Sequence, residues 1–242
     1  MATERPAPTD PAAATAALGT PPLALLRLLQ LTSPALPVGA FAYSHGLEWA
    51  VEAGWVRAGS QAEAWIAGLQ AEAWSRLDVP VLARLYAALE CGDADAVAAW
   101  SDRLCASRES AELLAEDLHM GAALARLAAG FGVPGAADWA QAERCPFVLA
   151  LAAVARHWAI PLHQTALGCL WTYSEHLVNA AVKLVPLGQT EGQQVLYRVA
   201  ARIPAAAAQG LALGDEEIGA VLPGLAIASA CHETQYSRLF RS

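Results

Sequence analysis

The chain has 242 residues, 56% of them hydrophobic and only 16% charged, with a formal net charge of -8 and a pI near 5.2. That length suits one large domain with a substantial core, and the acidic balance argues against a general nucleic-acid binder, which would carry a basic face. Five widely spaced cysteines (Cys91, Cys105, Cys145, Cys169 and Cys231) form no CxxC pair. Neither a disulfide framework nor a zinc knuckle is indicated.

Residues 1–20 are rich in Pro, Ala and Thr, with neither a basic start nor a long apolar run. They read as a disordered tail rather than a signal peptide. Helical punctuation follows. "PPLALLRLLQ" opens on proline, which a first helical turn tolerates. "SPALPVGAFAYS" is a loop, yet almost wholly apolar. Pro34 and Pro37 stiffen it, Gly39 permits a turn, and Leu36, Val38, Phe41 and Tyr43 either plug the core or meet a partner. Ser44 is placed to cap "HGLEWAVEAG", with Gly54 at its end.

Ser60 and Glu63 have capping-box spacing ahead of Ile66, Leu69 and Trp74. Asp78 and Pro80 read as the start of another helix, ended by Gly92, and Asp93 as the cap of the next. Over residues 107–130 leucines recur at helical spacing with acids on the opposite face, and Gly121 in the middle permits close packing. "GFGVPG" breaks the pattern. "CPFVLALAAVARHWA" and "HQTALGCLWTYSEHLVNAAVKLV" are apolar on nearly every side, as central bundle helices are. Thr190 and Gln193 again have capping-box spacing, and the helix they open should run to about Ile203, where Pro204 interrupts. "DEEIGAVL" and "PGLAIASACHETQ" read as short final helices. No convincing alternating strand appears. The expectation is an all-α, single compact many-helix bundle over 21–230, with the disordered N-terminal tail before it and a partner-binding C-terminal segment over 231–242. No stretch has the ~20 mainly apolar residues a membrane span needs. The protein is expected in the cytoplasm, with no membrane or nucleic-acid partner.

Catalytic signatures are missing. There is no GxSxG, no P-loop and no HExxH, and no two of the six histidines are spaced i, i+4 on one helix face. Cys231-His232-Glu233 is the one dense set of metal-ligand residue types. Neighbours on a helix point ~100° apart, so no permanent metal site is expected, and Cys231 and His232 stand as transient candidates. The closing "CHETQYSRLFRS" is unusually rich in Tyr, Arg, Leu and Phe for a chain end. It either docks on its own bundle or orders on another protein.

Three segments together resemble the UreF family of urease accessory proteins. They are Ser33–Glu48, matching "SPxLPVGxFxYSxGLE"; "AAVKLVPLGQTEGQ" at 180–193; and "HETQYSRLFRS" at 232–242. Ala40 and Ala42 stand where the family often has Gly and Ser. The resemblance implies an all-α homodimer with no catalysis and no stably bound cofactor of its own. It implies a scaffold that bridges UreD/UreH and the GTPase UreG on apo-urease. Nickel is then handled by the complex and GTP is bound by UreG. It places His232, Glu233, Tyr236, Ser237, Arg238, Leu239, Phe240 and Arg241 against UreD/UreH. Tyr43, Ser44, His45, Gly46, Glu48 and Lys183 fall on the UreG side, Glu48 and Lys183 presenting charges. Two rival readings stand beside it. One is a stand-alone nickel-binding metallochaperone using Cys231 and His232. The other is a small all-α enzyme with a buried polar set such as His163, Glu175 and His176.

Overall fold

The computed structural model describes residues 21–242, and the regular elements among them are all helical. The tail expected over residues 1–20 lies outside the described residues. Twelve α-helices among the described residues run in chain order: α1 Pro22–Leu31, α2 Leu47–Glu52, α3 Gly59–Gly68, α4 Val79–Cys91, α5 Ala94–Ala106, α6 Ala111–Gly130, α7 Ala136–Trp139, α8 Phe147–His157, α9 Leu162–Leu184, α10 Gln189–Ala200, α11 Ile203–Ala212 and α12 Pro223–His232. A π-helical stretch, Leu69–Asp78, joins α3 to α4 without a break. None of these helices is long and apolar enough to cross a membrane.

The two helices without a polar face occupy the middle. Every residue of α8 from Phe147 to Ala155 is buried, packed between α4 and α6, and the long α9 runs beside it against α10 and α11. Gly121 is where α6 meets the chain entering α8. A Cβ there would overlap the Cys145 carbonyl oxygen at 1.8 Å, so the close approach expected of this glycine is real. Asp93 and Ser110 cap α5 and α6 by accepting from the Ala96 and Leu113 amides.

Several local expectations change. Asp78 does not open a helix; it lies inside the continuous run from Gly59 to Cys91. Proline at position 80 clashes with the carbonyl four residues back and donates no hydrogen bond. The wider π stretch accommodates it just before α4, and the Arg76 carbonyl accepts instead from the Gly219 amide at 3.0 Å. Ser60 and Glu63 form no capping box, because α3 already starts at Gly59. Gln61 accepts from the Arg57 amide there, and Glu63 pairs with Arg198 on α10. Thr190 likewise falls within the first turn of α10 and caps nothing. Pro204 begins α11 rather than ending α10, as proline in a first turn does. "DEEIGAVL" forms only a 3-10 turn, Asp215–Glu217, followed by extended chain.

The acids of α6 are not a solvated face. Arg108, ahead of α6, reaches Asp78 Oδ1 at 2.6 Å and Asp117 Oδ2 at 2.8 Å, all three buried. Asp117 Oδ1 accepts the Phe147 amide at 2.8 Å at the start of α8, and the Tyr173 hydroxyl of α9 donates to Asp78. Burial opposes the guanidinium's charge, but the two carboxylates outweigh it and hold Arg108 well above its ordinary range. Removing one partner of a buried pair leaves uncompensated charge and costs about 3–5 kcal/mol. Arg108→Met should therefore lower the unfolding free energy in urea by about that much, whereas breaking the exposed Arg144–Asp102 pair should barely move it.

Candidate functional site

The apolar loop resolves first. Val38 and Tyr43 are buried, Leu36 is half-buried, and Phe41 turns outward, 69% exposed. Gly39 adopts φ +79°, which glycine takes without strain, and a 3-10 turn, Ala40–Ala42, follows it. Ala40 itself is helical, so alanine is tolerated there. Ser44 caps the start of α2 by accepting from the Glu48 amide at 3.2 Å. Gly46 combines φ +76° with a close approach: a Cβ there would sit 3.3 Å from both Ala228 Cβ and the Ser229 amide of α12.

That approach brings the last segment of the chain onto α2. The Glu48 carboxylate accepts the Leu239 amide at 2.6 Å, the Phe240 amide at 2.8 Å, and pairs with His232 Nε2 at 3.1 Å. His232 is fully buried, and its Nδ1 meets Glu112 of α6 at 2.7 Å. Glu112 also takes Arg238 at 2.9 Å. One turn on, Glu116 meets His45 at 3.3 Å and accepts the Ser242 hydroxyl at 2.8 Å. The Ser44 amide and hydroxyl both donate to the Ser242 backbone oxygen, and the Arg241 amide donates to Ala42. The Ser110 and Ser229 hydroxyls join, and Glu233 accepts the Ala111 amide. Phe240 fills a second apolar core with Leu47, Ala50, Ala181 and Ala228, and the Lys183 ammonium lies 5.4 Å from its ring centre.

The three signature segments thus converge on one locked corner. One sequence reading is corrected by it. Glu48 is not a charge presented to solvent: it is 7% exposed and its oxygens hold the tail. His232, a candidate transient metal ligand in the sequence, is fully buried and both ring nitrogens face carboxylates. Cys231 beside it is half-buried, and among the described residues no group of three or more His, Cys, Asp or Glu is placed to hold a metal. Lys183, Tyr236, Arg238, Leu239 and Arg241 remain at the surface, as do Glu233 and Ser237. Sequence reasoning missed Glu112, Glu116, Ser110 and Ser229. The i, i+4 spacing of the two glutamates was the visible signal, but the same spacing marks any solvated helix face.

Burial tends to lift the Glu116 carboxyl. The His45 charge and the hydrogen bonds from His45 and Ser242 outweigh it and hold Glu116 below the ordinary carboxylate range. The polar set offered for an enzyme does not assemble. His163 is exposed, while Glu175 is raised and His176 lowered to about 4, each chiefly by its own burial.

Comparison with known proteins agrees with the three segments. Residues 56–200 match the UreF family model. The chain is 51% identical over 222 residues to the urease accessory protein UreF of Alkalilimnicola ehrlichii, covering 92% of this chain and 97% of that one. It is 53% identical over 220 residues to UreF of Pseudomonas putida, covering 91% and 98%. It is 44% identical over 222 residues to UreF of Hahella chejuensis, covering 92% and 100%. The protein is a helical urease accessory protein: it belongs to the UreF family.

Two predictions follow from this geometry. Glu48→Ala leaves two tail amides without their acceptor and removes the partner of His232 Nε2, while Nδ1 keeps Glu112, at about 1.5–3 kcal/mol for each charge-assisted bond. Amide exchange at Leu239 and Phe240 should then approach the unprotected rate while α8 stays protected; retained protection at Leu239 and Phe240 would show that Glu48 does not hold the tail. The second concerns pH. His176, ordinarily near 6.5, is held near 4 when folded, so below 6.5 the unfolded chain takes up the proton first. Stability should fall as pH drops from 6.5 to 4, with the Glu116 contribution lost as pH falls further through its lowered value. His176→Gln should flatten the upper part of that slope in urea midpoints measured across pH.

Proposed function

We propose that this chain is a non-catalytic scaffold that bridges UreD/UreH and the GTPase UreG on apo-urease and supports nickel insertion into the urease active site. The observation that carries the reading is the locked tail. Tyr236, 105% exposed, and Leu239, 65% exposed, project from a segment whose backbone amides at 239 and 240 are pinned by Glu48. Aromatic and Arg side chains carried on backbone that is fixed before a partner arrives suit a binding hot spot, because less backbone entropy is left to lose. Glu233, Tyr236, Ser237, Arg238, Leu239 and Arg241 form the UreD/UreH side, with His232 and Phe240 buried beneath it and holding the segment in place. Lys183 and the half-buried His45 face the UreG side, while Tyr43, Ser44, Gly46 and Glu48 are buried and act by holding the loop and the tail in place. Nickel is cargo of the complex, GTP belongs to UreG, and this chain holds no cofactor stably.

The protein works in the cytoplasm as a homodimer. Leu23, Leu25, Leu26 and Leu29 of α1 are exposed together, beside a 360 Å³ apolar groove lined by Leu28, Leu167, Trp171 and Ile203. An apolar face of this kind suits self-pairing across a two-fold axis. A light-scattering mass equal to one chain would remove the dimer.

The test of the scaffold is a pull-down of purified UreD/UreH and UreG with the full chain and with a version ending at Ala230. The full chain should assemble both. The truncated chain should stay helical and lose UreD/UreH. If the truncated chain retains UreD/UreH, the tail is not the docking element; tight nickel binding by the full chain alone would favour a metallochaperone instead.

A further inference from the structure

A pocket of about 390 Å³ lies between the apolar loop and α6, walled by Pro37, Gly39, Phe41 and Tyr43 on one side and by His119 and Arg126 on the other, with Arg241 of the tail closing it. Among the described residues no acidic side chain lines it, although the protein is acidic overall. Arg126 is exposed and Arg241 is exposed, and neither is ion-paired to a carboxylate among the described residues. The Tyr43 hydroxyl is held by His119 Nδ1 at 2.7 Å, and Arg241 lies with it on the pocket wall. Glu116, whose charge is felt at Tyr43, is already engaged by His45 and the Ser242 hydroxyl. The pocket therefore concentrates donors and positive charge without internal neutralisation.

We propose that this pocket receives an aspartate or glutamate side chain from an acidic segment of a protein partner. Two guanidinium groups recognise a carboxylate through charge-assisted, fork-shaped hydrogen bonding. A protein segment fits better than a free inorganic anion because the rim is apolar. Phe41 is 69% exposed at the mouth, with Pro37, Val38, Ala122 and Ala123 around it. A small ion would leave that surface in water, whereas a peptide covers it. The walls are ordered in advance: Gly39 sets the turn, and the Arg241 amide is bonded to the Ala42 carbonyl at 2.8 Å. Locking the tail is thus also what completes the pocket.

The proposal rests on the scaffold reading, which supplies the protein partners. The test is surface binding of UreG and of UreD/UreH, each separately, to the full chain, Arg126→Glu, Arg126→Lys and Phe41→Ala, at low and moderate salt. Arg126→Glu should weaken one partner by roughly tenfold or more and make its affinity less salt-dependent. Arg126→Lys should recover part of the loss, and Phe41→Ala should weaken the same partner at both salts. The thermal melt of Arg126→Glu should match wild type, since Arg126 makes no ion pair to lose. Wild-type affinity for both partners in Arg126→Glu would overturn the docking site and leave the scaffold reading standing. If the wild type binds neither partner, the scaffold reading fails and the docking site fails with it. Saturable binding of phosphate or bicarbonate, with partner affinities unchanged by Arg126→Glu, would make the pocket a small-anion site and overturn the proposal.

Discussion

One carboxylate organises the corner on which the rest depends. Glu48 accepts two consecutive backbone amides of the tail and faces the His232 ring. Chain ends usually fray, because ordering each residue costs about 1–2 kcal/mol of backbone entropy. Here that cost is offset by burying Phe240 and by hydrogen bonds to ionised groups, each stronger than a neutral one. The balance is local: it needs Glu48 buried, and Glu48 is buried because the tail covers it.

Helix α6 couples that clamp to its surroundings. Glu112 is shared by His232 and Arg238, and Glu116 by His45 and Ser242. The two glutamates are one turn apart, so a shift of α6 moves the tail and the Tyr43–Glu48 segment together. Arg108 and Asp117 tie the same helix to the π stretch and to the start of α8. The surfaces proposed for different partners are therefore linked through α6.

The helices were legible because their signal is local. Apolar spacing marked α6, α8 and α9, and Asp93 and Gly92 punctuated as side-chain chemistry requires. Boundaries were legible only where no tertiary partner competed. Glu63 left its expected box for Arg198, and Asp78 became half of a buried ion pair rather than a cap. Pro204 and Pro80 are chemically alike, yet one opens a helix and the other sits at the junction of a continuous one. A freed carbonyl finding the Gly219 amide decided the second case.

By itself the sequence determined an all-helical bundle, the two central helices, and the three segments that carry the family resemblance. Those follow from hydrophobic periodicity, from backbone limits on Pro and Gly, and from residue identity. Only the tertiary structure decided that the segments meet, that Glu48 is a buried clamp rather than a presented charge, and that His232 faces two carboxylates. The reason is that a hydrogen bond between residues 48 and 240 leaves no trace in the spacing of either. Burial and pairing are properties of what packs alongside, and here that was α6, whose acids look like any solvated face until the tail is laid across them.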